Sequence, residues 1–390
     1  MPAKVSRMHI VLGSASVGRY LQGGGHWSWF LQYPRGLKAL GHKVTWLEIL
    51  PASGDRARDQ QTVAAFFDRV RKLEPGLDCM AILAAEDQSL MSAEFHGVSR
   101  ERLAEIGREA DMIWNIAASL RAPILSLFRK RVLIDVDPGH LQVASMAYNL
   151  DLELHDAFLS VGARVGQSDC EVPTLGHRWR PFRPFVHLPD WIPAADPGSK
   201  APFTSATHWT WEMLDFGDRY VSTSKRTAYL RYLEMPIRAR RAFKLAAYIG
   251  PTDPTGERKL LESYGWEVAD PHRIAPTPET YQEFIRGSRG EFQCPKPIYR
   301  ELKTGWFSDR SVSYLAMGRP VLAEDTGFSA AIPCGHGLIA FDDLGSAAAG
   351  VAEIDANYAI HSRAARELCE AHFDSRRGLS EMIAASFDRD

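Results

Sequence analysis

Short apolar runs ending in small or polar residues recur along this chain, and between them apolar positions fall at helical spacing. HIVLGSA (9–15), VTWLEIL (44–50), DMIWNIA (111–117) and RVLIDVD (131–137) predict buried strands. WSWFLQYPRGLKALGHKV predicts a helix ending at Gly41, with Pro34 kinking or splitting it. Apolar strands alternating with helices require a parallel sheet covered on both faces. The rhythm breaks over residues 162–202, which are rich in Pro and Gly, and then resumes. FTSATHW (203–209), KLAAYIG (244–250), GWEVADP (265–271), RPVLAED (319–325) and GLIAFDD (337–343) predict a second set of strands.

A chain of 390 residues exceeds what one core ordinarily supports. The expected organisation is α/β, with two Rossmann-like domains whose parallel sheets face a central cleft. The N-terminal one spans 1–200 and the C-terminal one 201–370. A helical tail, 371–390, is expected to pack back on the N-terminal domain.

Hydrophobic content of 45%, charged content of 24% and a net charge of −2 give no support to broad nucleic-acid binding. Cys79, Cys170, Cys294, Cys334 and Cys369 are dispersed without CxxC or CxxH spacing, which points to reduced thiols and no metal site. The N-terminus carries too short an apolar run for a signal peptide, and no stretch reaches membrane-span length. A cytoplasmic location is the default. No GxSxG, GxxxxGKS, HExxH or EF-hand pattern occurs.

Ligands of doubly wound sheets bind beyond the carboxyl ends of the strands, near helix N-termini. That rule selects four stretches. LQGGGHW offers Gly23, Gly24 and Gly25 for close backbone approach and His26 as a base or donor, or else is a surface loop. LIDVDPGHLQ places Asp135, Asp137 and His140 near the cleft. Strand alternation sends the two aspartates to one side, one of them capping the next helix or acting as a base. STSKRTAYL offers Lys225 as a point charge and Arg226 as a fork for phosphate, or a solvated helix face. In GWFSDRSVSYLAMGRPVLAEDTGF, Asp309 fits an N-cap, while Arg310 and Ser311 stand at the positive helix end, where a phosphate would complete the site. Glu324, Asp325 and Thr326 follow the next strand and are expected to face the cleft.

LQGGGHW, LIDVDPGHLQ and the GWFSDRS…GRPV…DTGF block together resemble a bacterial group of nucleotide-sugar glycosyltransferases of the two-Rossmann-domain (GT-B) type, over nearly the whole chain. The resemblance implies transfer of a sugar from a nucleotide diphosphate, uridine or deoxythymidine, to an acceptor hydroxyl or amine. It implies no cofactor beyond that co-substrate and no bound metal. The C-terminal domain would hold the diphosphate through Lys225, Arg310 and Ser311, with Asp309, Glu324, Asp325 or Thr326 on ribose or sugar hydroxyls. The N-terminal domain would hold the acceptor, with Gly23, Gly24, Gly25 and His140 around it and His26 or Asp137 as base. Many retaining relatives carry two glutamates where this chain has Gly305 and Ser313. A sugar-nucleotide epimerase and a non-catalytic sugar-nucleotide-binding subunit stay open beside the transferase. An acceptor base in DNA stays open too, without support from charge.

Overall fold

A computed structural model describes residues 7–250, 253 and 255–388. The first sheet comprises β1 (His9–Ser14), β2 (Lys43–Pro51), β3 (Asp78–Ala84), β4 (Glu94–His96), β5 (Met112–Ile116), β6 (Arg131–Asp135), β7 (Ala157–Ser160) and β8 (Trp179–Pro181). Their order is β4-β3-β2-β1-β5-β6-β7-β8, with every pairing parallel except β3 with β4. Then follow β9 (Phe203–His208), a hairpin of β10 (Met213–Asp215) and β11 (Tyr220–Ser222), β12 (Phe243–Tyr248), β13 (Trp266–Ala269), β14 (Gly290–Gln293), β15 (Val321–Glu324) and β16 (Leu338–Phe341). The second sheet runs β13-β12-β9-β14-β15-β16, all parallel.

Both orders reverse beside the first strand of their sheet, between β1 and β5 and between β9 and β14. A reversal leaves adjacent crossovers on opposite faces and opens a crevice at the carboxyl edge. This is the GT-B arrangement of two Rossmann-like units.

The helix after β1 runs unbroken from Gly24 to Ala39 through Pro34. Its end is a Schellman turn, with Gly41 at φ +89°, the Gly41 amide on Lys38 O and the His42 amide on Leu37 O. Trp27, Phe30 and Leu37 of this helix are buried in the core over the first sheet. The final helix, Ser375–Phe387, adds Leu379, Met382 and Ile383 to that same core, and the indole N–H of Trp114 donates to Ser386 Oγ at 3.3 Å. The chain therefore crosses between the sheets twice. The crossings lie side by side, with the Val186 amide on Phe373 O and the Ser375 amide on Val186 O, both 2.9 Å. Leu214, Val221, Ile298, Tyr299, Leu302 and Trp306 from the second unit also pack into the core of the first. The cleft is thus closed along that side.

Candidate functional site

The two reversal points face each other. From the β1 side, the loop after Ser14 delivers Tyr20, whose ring stacks on His26 in the first turn of the next helix, at 4.3 Å and 18°. From the β9 side, His208 ends its strand 5.3 Å from His26 and 5.2 Å from Tyr20. Burial depresses both imidazoles, His26 to about 3 and His208 to about 4. His208 and His272 lower His26 further; His272, Lys225 and Lys296 do the same to His208. Both rings are therefore neutral at physiological pH. As a proton acceptor His26 is weak, well below the strength a base near pH 7 needs.

The loop holding Tyr20 is fixed from beneath. Glu48 of β2 is fully buried and accepts the Val17 and Gly18 amides at 2.9 and 2.7 Å, and the Trp46 indole N–H at 3.0 Å. Burial raises its carboxyl to about 7 against these hydrogen bonds. The glycines of LQGGGHW do not line an open cradle. Gly24 donates its amide to Ala275 O at 3.1 Å, and a Cβ there would collide with the Ala275 and Thr277 carbonyls. A Cβ on Gly25 would touch the Tyr281 ring, and one on Gly23 would press on Tyr20 and His26. For Gly24 and Gly25 the physical reason is close approach of the two units, whereas Gly23 is crowded by its own loop.

Cations gather at the carboxyl edge of the second sheet. Lys225 opens the helix Lys225–Arg231, with its Nζ 5.5 Å from the Trp306 ring. Among the described residues it has no carboxylate within ion-pair distance. Burial, then the charges of Arg310 and Lys296, lower its ammonium to about 7. Arg226 turns away and pairs with Glu257, which also accepts from the Trp209 indole at 2.6 Å. Lys296, just past β14, pairs with Asp137, and Tyr299 Oη donates to the other Asp137 oxygen at 2.5 Å. Half-exposed Trp211 sits beside this point, 5.7 Å from Lys296 Nζ and 5.9 Å from His208.

β6 ends at Asp135, so strand alternation does not reach Asp137, and the two aspartates part company. Asp135 is buried, accepting from Ser160 Oγ, Gln142 Nε2 and the Asp137 amide, and burial raises it to about 6. Burial would raise Asp137 as well, but Lys296 and His140 outweigh it and hold that carboxyl below its usual range. As a base, Asp137 must first leave Lys296. His140 Nε2 lies 3.1 Å from Glu212 Oε1, spanning the cleft beside it.

At the opening of the helix Asp309–Ala316, Ser308 is the N-cap, its Oγ accepting the Arg310 amide at 3.2 Å. Asp309 is therefore the first helical residue, not the cap. Arg310 folds inward: Nε donates to fully buried Glu291 and Nη1 to Ala206 O at 2.8 Å. Its Nη2, and the Ser311 hydroxyl, are buried without a partner. Glu324, Asp325 and Thr326 do not present free groups to the cleft. Glu324 is buried under Arg231 at 2.7 Å, Arg300 at 3.2 Å and Tyr232 Oη at 2.9 Å. Asp325 accepts the Gly327 and Ser329 amides of its own turn, and Thr326 Oγ donates to Trp306 O at 2.6 Å. Gly305 stands at φ +69°, and a Cβ there would lie 2.7 Å from Arg164 Cγ, so a glutamate would be strained and would have to displace Arg164. Ser313 instead donates to Asp309 O at 3.3 Å.

Sequence reading missed Tyr20, Glu48, His208, Trp211, Glu291 and Lys296. Two of them carried a signal. Glu48 sits inside VTWLEIL, an apolar run read as a buried strand, and a buried acid always needs partners. Lys296 is framed by Pro295 and Pro297, which pin its backbone at a strand end.

One group of described residues, His336, Glu353 and His361, is spaced to hold a metal ion. It lies at the amino ends of β15 and β16, opposite the cleft. There His361 Nδ1 accepts the Gly337 amide at 3.1 Å, leaving the neutral ring's proton on Nε2, the atom facing Glu353. Such a ring has no lone pair to offer a metal there.

No protein-family model matches the chain, and no curated protein matches it. Solved structures do match in fold. An alpha-glucosyltransferase in complex with UDP and a 13-mer DNA containing an HMU base has a TM-score of 0.61 at 12% identity, covering 98% of this chain and 100% of that one. The Anabaena protein HepE in complex with UDP and glucose gives 0.59 at 13%, covering 97% and 100%. Sucrose-phosphate synthase from Thermosynechococcus elongatus gives 0.54 at 14%, covering 98% and 99%. The likeness thus extends over both Rossmann-like units. No helix among the described residues is long and apolar enough to cross a membrane.

Proposed function

We propose that this chain is a glycosyltransferase, moving a sugar from a UDP- or dTDP-type donor to an acceptor hydroxyl or amine without a metal. The observation that carries this reading is Lys225, a cation with no carboxylate partner among the described residues, grouped with Arg310 and Lys296 beside the reversal of the second sheet. A cation desolvated without its counter-ion is unfavourable alone and favourable once an anion arrives. In the reaction, an acceptor oxygen or nitrogen bonds to the anomeric carbon as the bond to the diphosphate oxygen breaks. Negative charge grows on that leaving oxygen, and fixed cations stabilise it. The acceptor's proton would pass to Asp137 once Lys296 turns to the diphosphate, or to His26 once that charge lifts its basicity. Named solved structures with this fold bind UDP and, in one case, DNA. These likenesses support the donor class and leave the acceptor to experiment.

A non-catalytic sugar-nucleotide-binding role has two observations in its favour: Arg310 is held by Glu291, and neither Gly305 nor Ser313 supplies the acid of retaining relatives. A thermal-shift panel of nucleoside diphosphates and their sugars tests the shared premise. A ligand at 100 times its Kd stabilises by about 2.7 kcal/mol. Absence of any shift refutes both readings; a shift followed by sugar transfer to any acceptor selects the enzyme. Turnover of the sugar nucleotide without acceptor selects an epimerase.

A further inference from the structure

An anion site has little use for a buried carboxylate, yet Glu291 is fully buried at the centre of this one. Glu291 and Gln293 project from the same face of β14, as alternation requires, and Thr204 of β9 is registered opposite Glu291. The helix Asp309–Ala316 covers that face: Tyr314 Oη meets Thr204 Oγ1 at 2.6 Å. Within this layer Glu291 holds only Arg310. Four buried polar atoms there have no partner among the described residues: Glu291 Oε2, Gln293 Nε2, Arg310 Nη2 and Ser311 Oγ. Buried polar atoms are nearly always paired, so a cluster of unpaired ones marks a layer built to rearrange or to receive a polar group.

We infer that Glu291 is a resident counter-ion, a positioning residue that holds Arg310 while the cleft is empty and competes with the diphosphate for it. This rests on the donor reading above. Its consequence is a sign. Were Glu291 only a structural partner, neutralising it would disorder Arg310 and weaken diphosphate binding. As a competitor, its neutralisation frees the guanidinium and raises the positive potential at Lys225, so the diphosphate binds more tightly and leaves more slowly.

The test is calorimetric titration of UDP and dTDP into the wild-type chain and Glu291→Gln, with folding checked by circular dichroism. The expected result is a Kd lowered about tenfold in Glu291→Gln, the scale of one nearby charge at intermediate dielectric. In a transfer assay, kcat and KM should fall together, because product release slows. Glu291→Asp keeps the charge, which protects folding, and draws it back from Nε; the diphosphate should again bind more tightly, by less. Unchanged or weaker binding in the folded variants overturns the inference while leaving the donor reading intact. A wild-type chain that binds neither nucleotide overturns both.

Discussion

Asp137, from the first unit, accepts from Lys296 and Tyr299 of the second, so a single carboxylate joins the binding edges of both sheets. Removing it leaves an ammonium and a phenol without their acceptor in a largely buried place. Asp137→Asn should lower unfolding stability by about 2 kcal/mol at neutral pH. Its folded-state carboxyl is depressed, so the stabilisation is present above the ordinary carboxyl range and lost as pH falls through the folded value. Urea unfolding of both proteins should therefore converge below about pH 4; a constant gap would show that the loss is not one of charge.

Lys225 gives a signature with the opposite pH sense. Its folded value of about 7 lies below the ordinary 10.5, so below 7 the ammonium is charged in both states and its full desolvation cost is present. Between 7 and 10.5 the unfolded chain holds the extra proton, and stability rises with pH. Relative to Lys225→Met, the wild-type chain should gain stability over that window and be flat below it. UDP affinity should weaken as pH is raised through 7, and Lys225→Met should lack that step.

Arg310→Ala strands Glu291 without its cation, at a cost of about 3–5 kcal/mol in unfolding stability. If Arg310 reaches the leaving group, turnover should also fall about 100- to 1,000-fold. Unaltered turnover in a protein that is measurably less stable would confine Arg310 to a structural role.

Gly24→Ala sets a methyl group against the carbonyls of Thr277 and Ala275, backbone atoms that cannot turn aside. The helix Gly24–Ala39 must then retreat from the second unit, at a cost of about 1–3 kcal/mol. Small-angle scattering should report a larger radius of gyration, with transfer activity lost. An unchanged radius would mean that the 275–277 loop yields instead.

Elements with a strong local signal were legible in the sequence: β1, β2, β5, β6, β9, β12, β13, β15 and β16 all overlap runs read as strands. β3, DCMAILA, and β14, GEFQ, were not read, although β14 is the strand beside which the second sheet reverses. GEFQ holds a single apolar side chain, Phe292, so no apolar run marks β14. The cation group was half legible: Lys225 and Arg310 stood out at helix starts, but which way Arg310 turned depended on Glu291, nineteen residues earlier and two elements away. Pairings of that kind are set by packing and leave no local trace. The same holds for Asp137, whose partner is a lysine 159 residues later. The glycine run was read as a place for backbone to approach a ligand. At Gly24 the backbone approaches other backbone instead, and sequence alone does not distinguish the two.

The paired crossings at Val186 and Asp374 also bear on how this molecule can move. Two tethers set far apart would lock the units, and a single one would let them twist freely. Two tethers bonded along the same short segment act as the pin of a door, leaving one easy rotation about a fixed line. Under the proposed reading, donor entry and product exit would follow that one rotation, across the apolar contacts that Leu214, Val221, Ile298 and Leu302 make in the core of the first unit. Lengthening one crossing alone would leave that rotation unchanged, because the other still defines the axis.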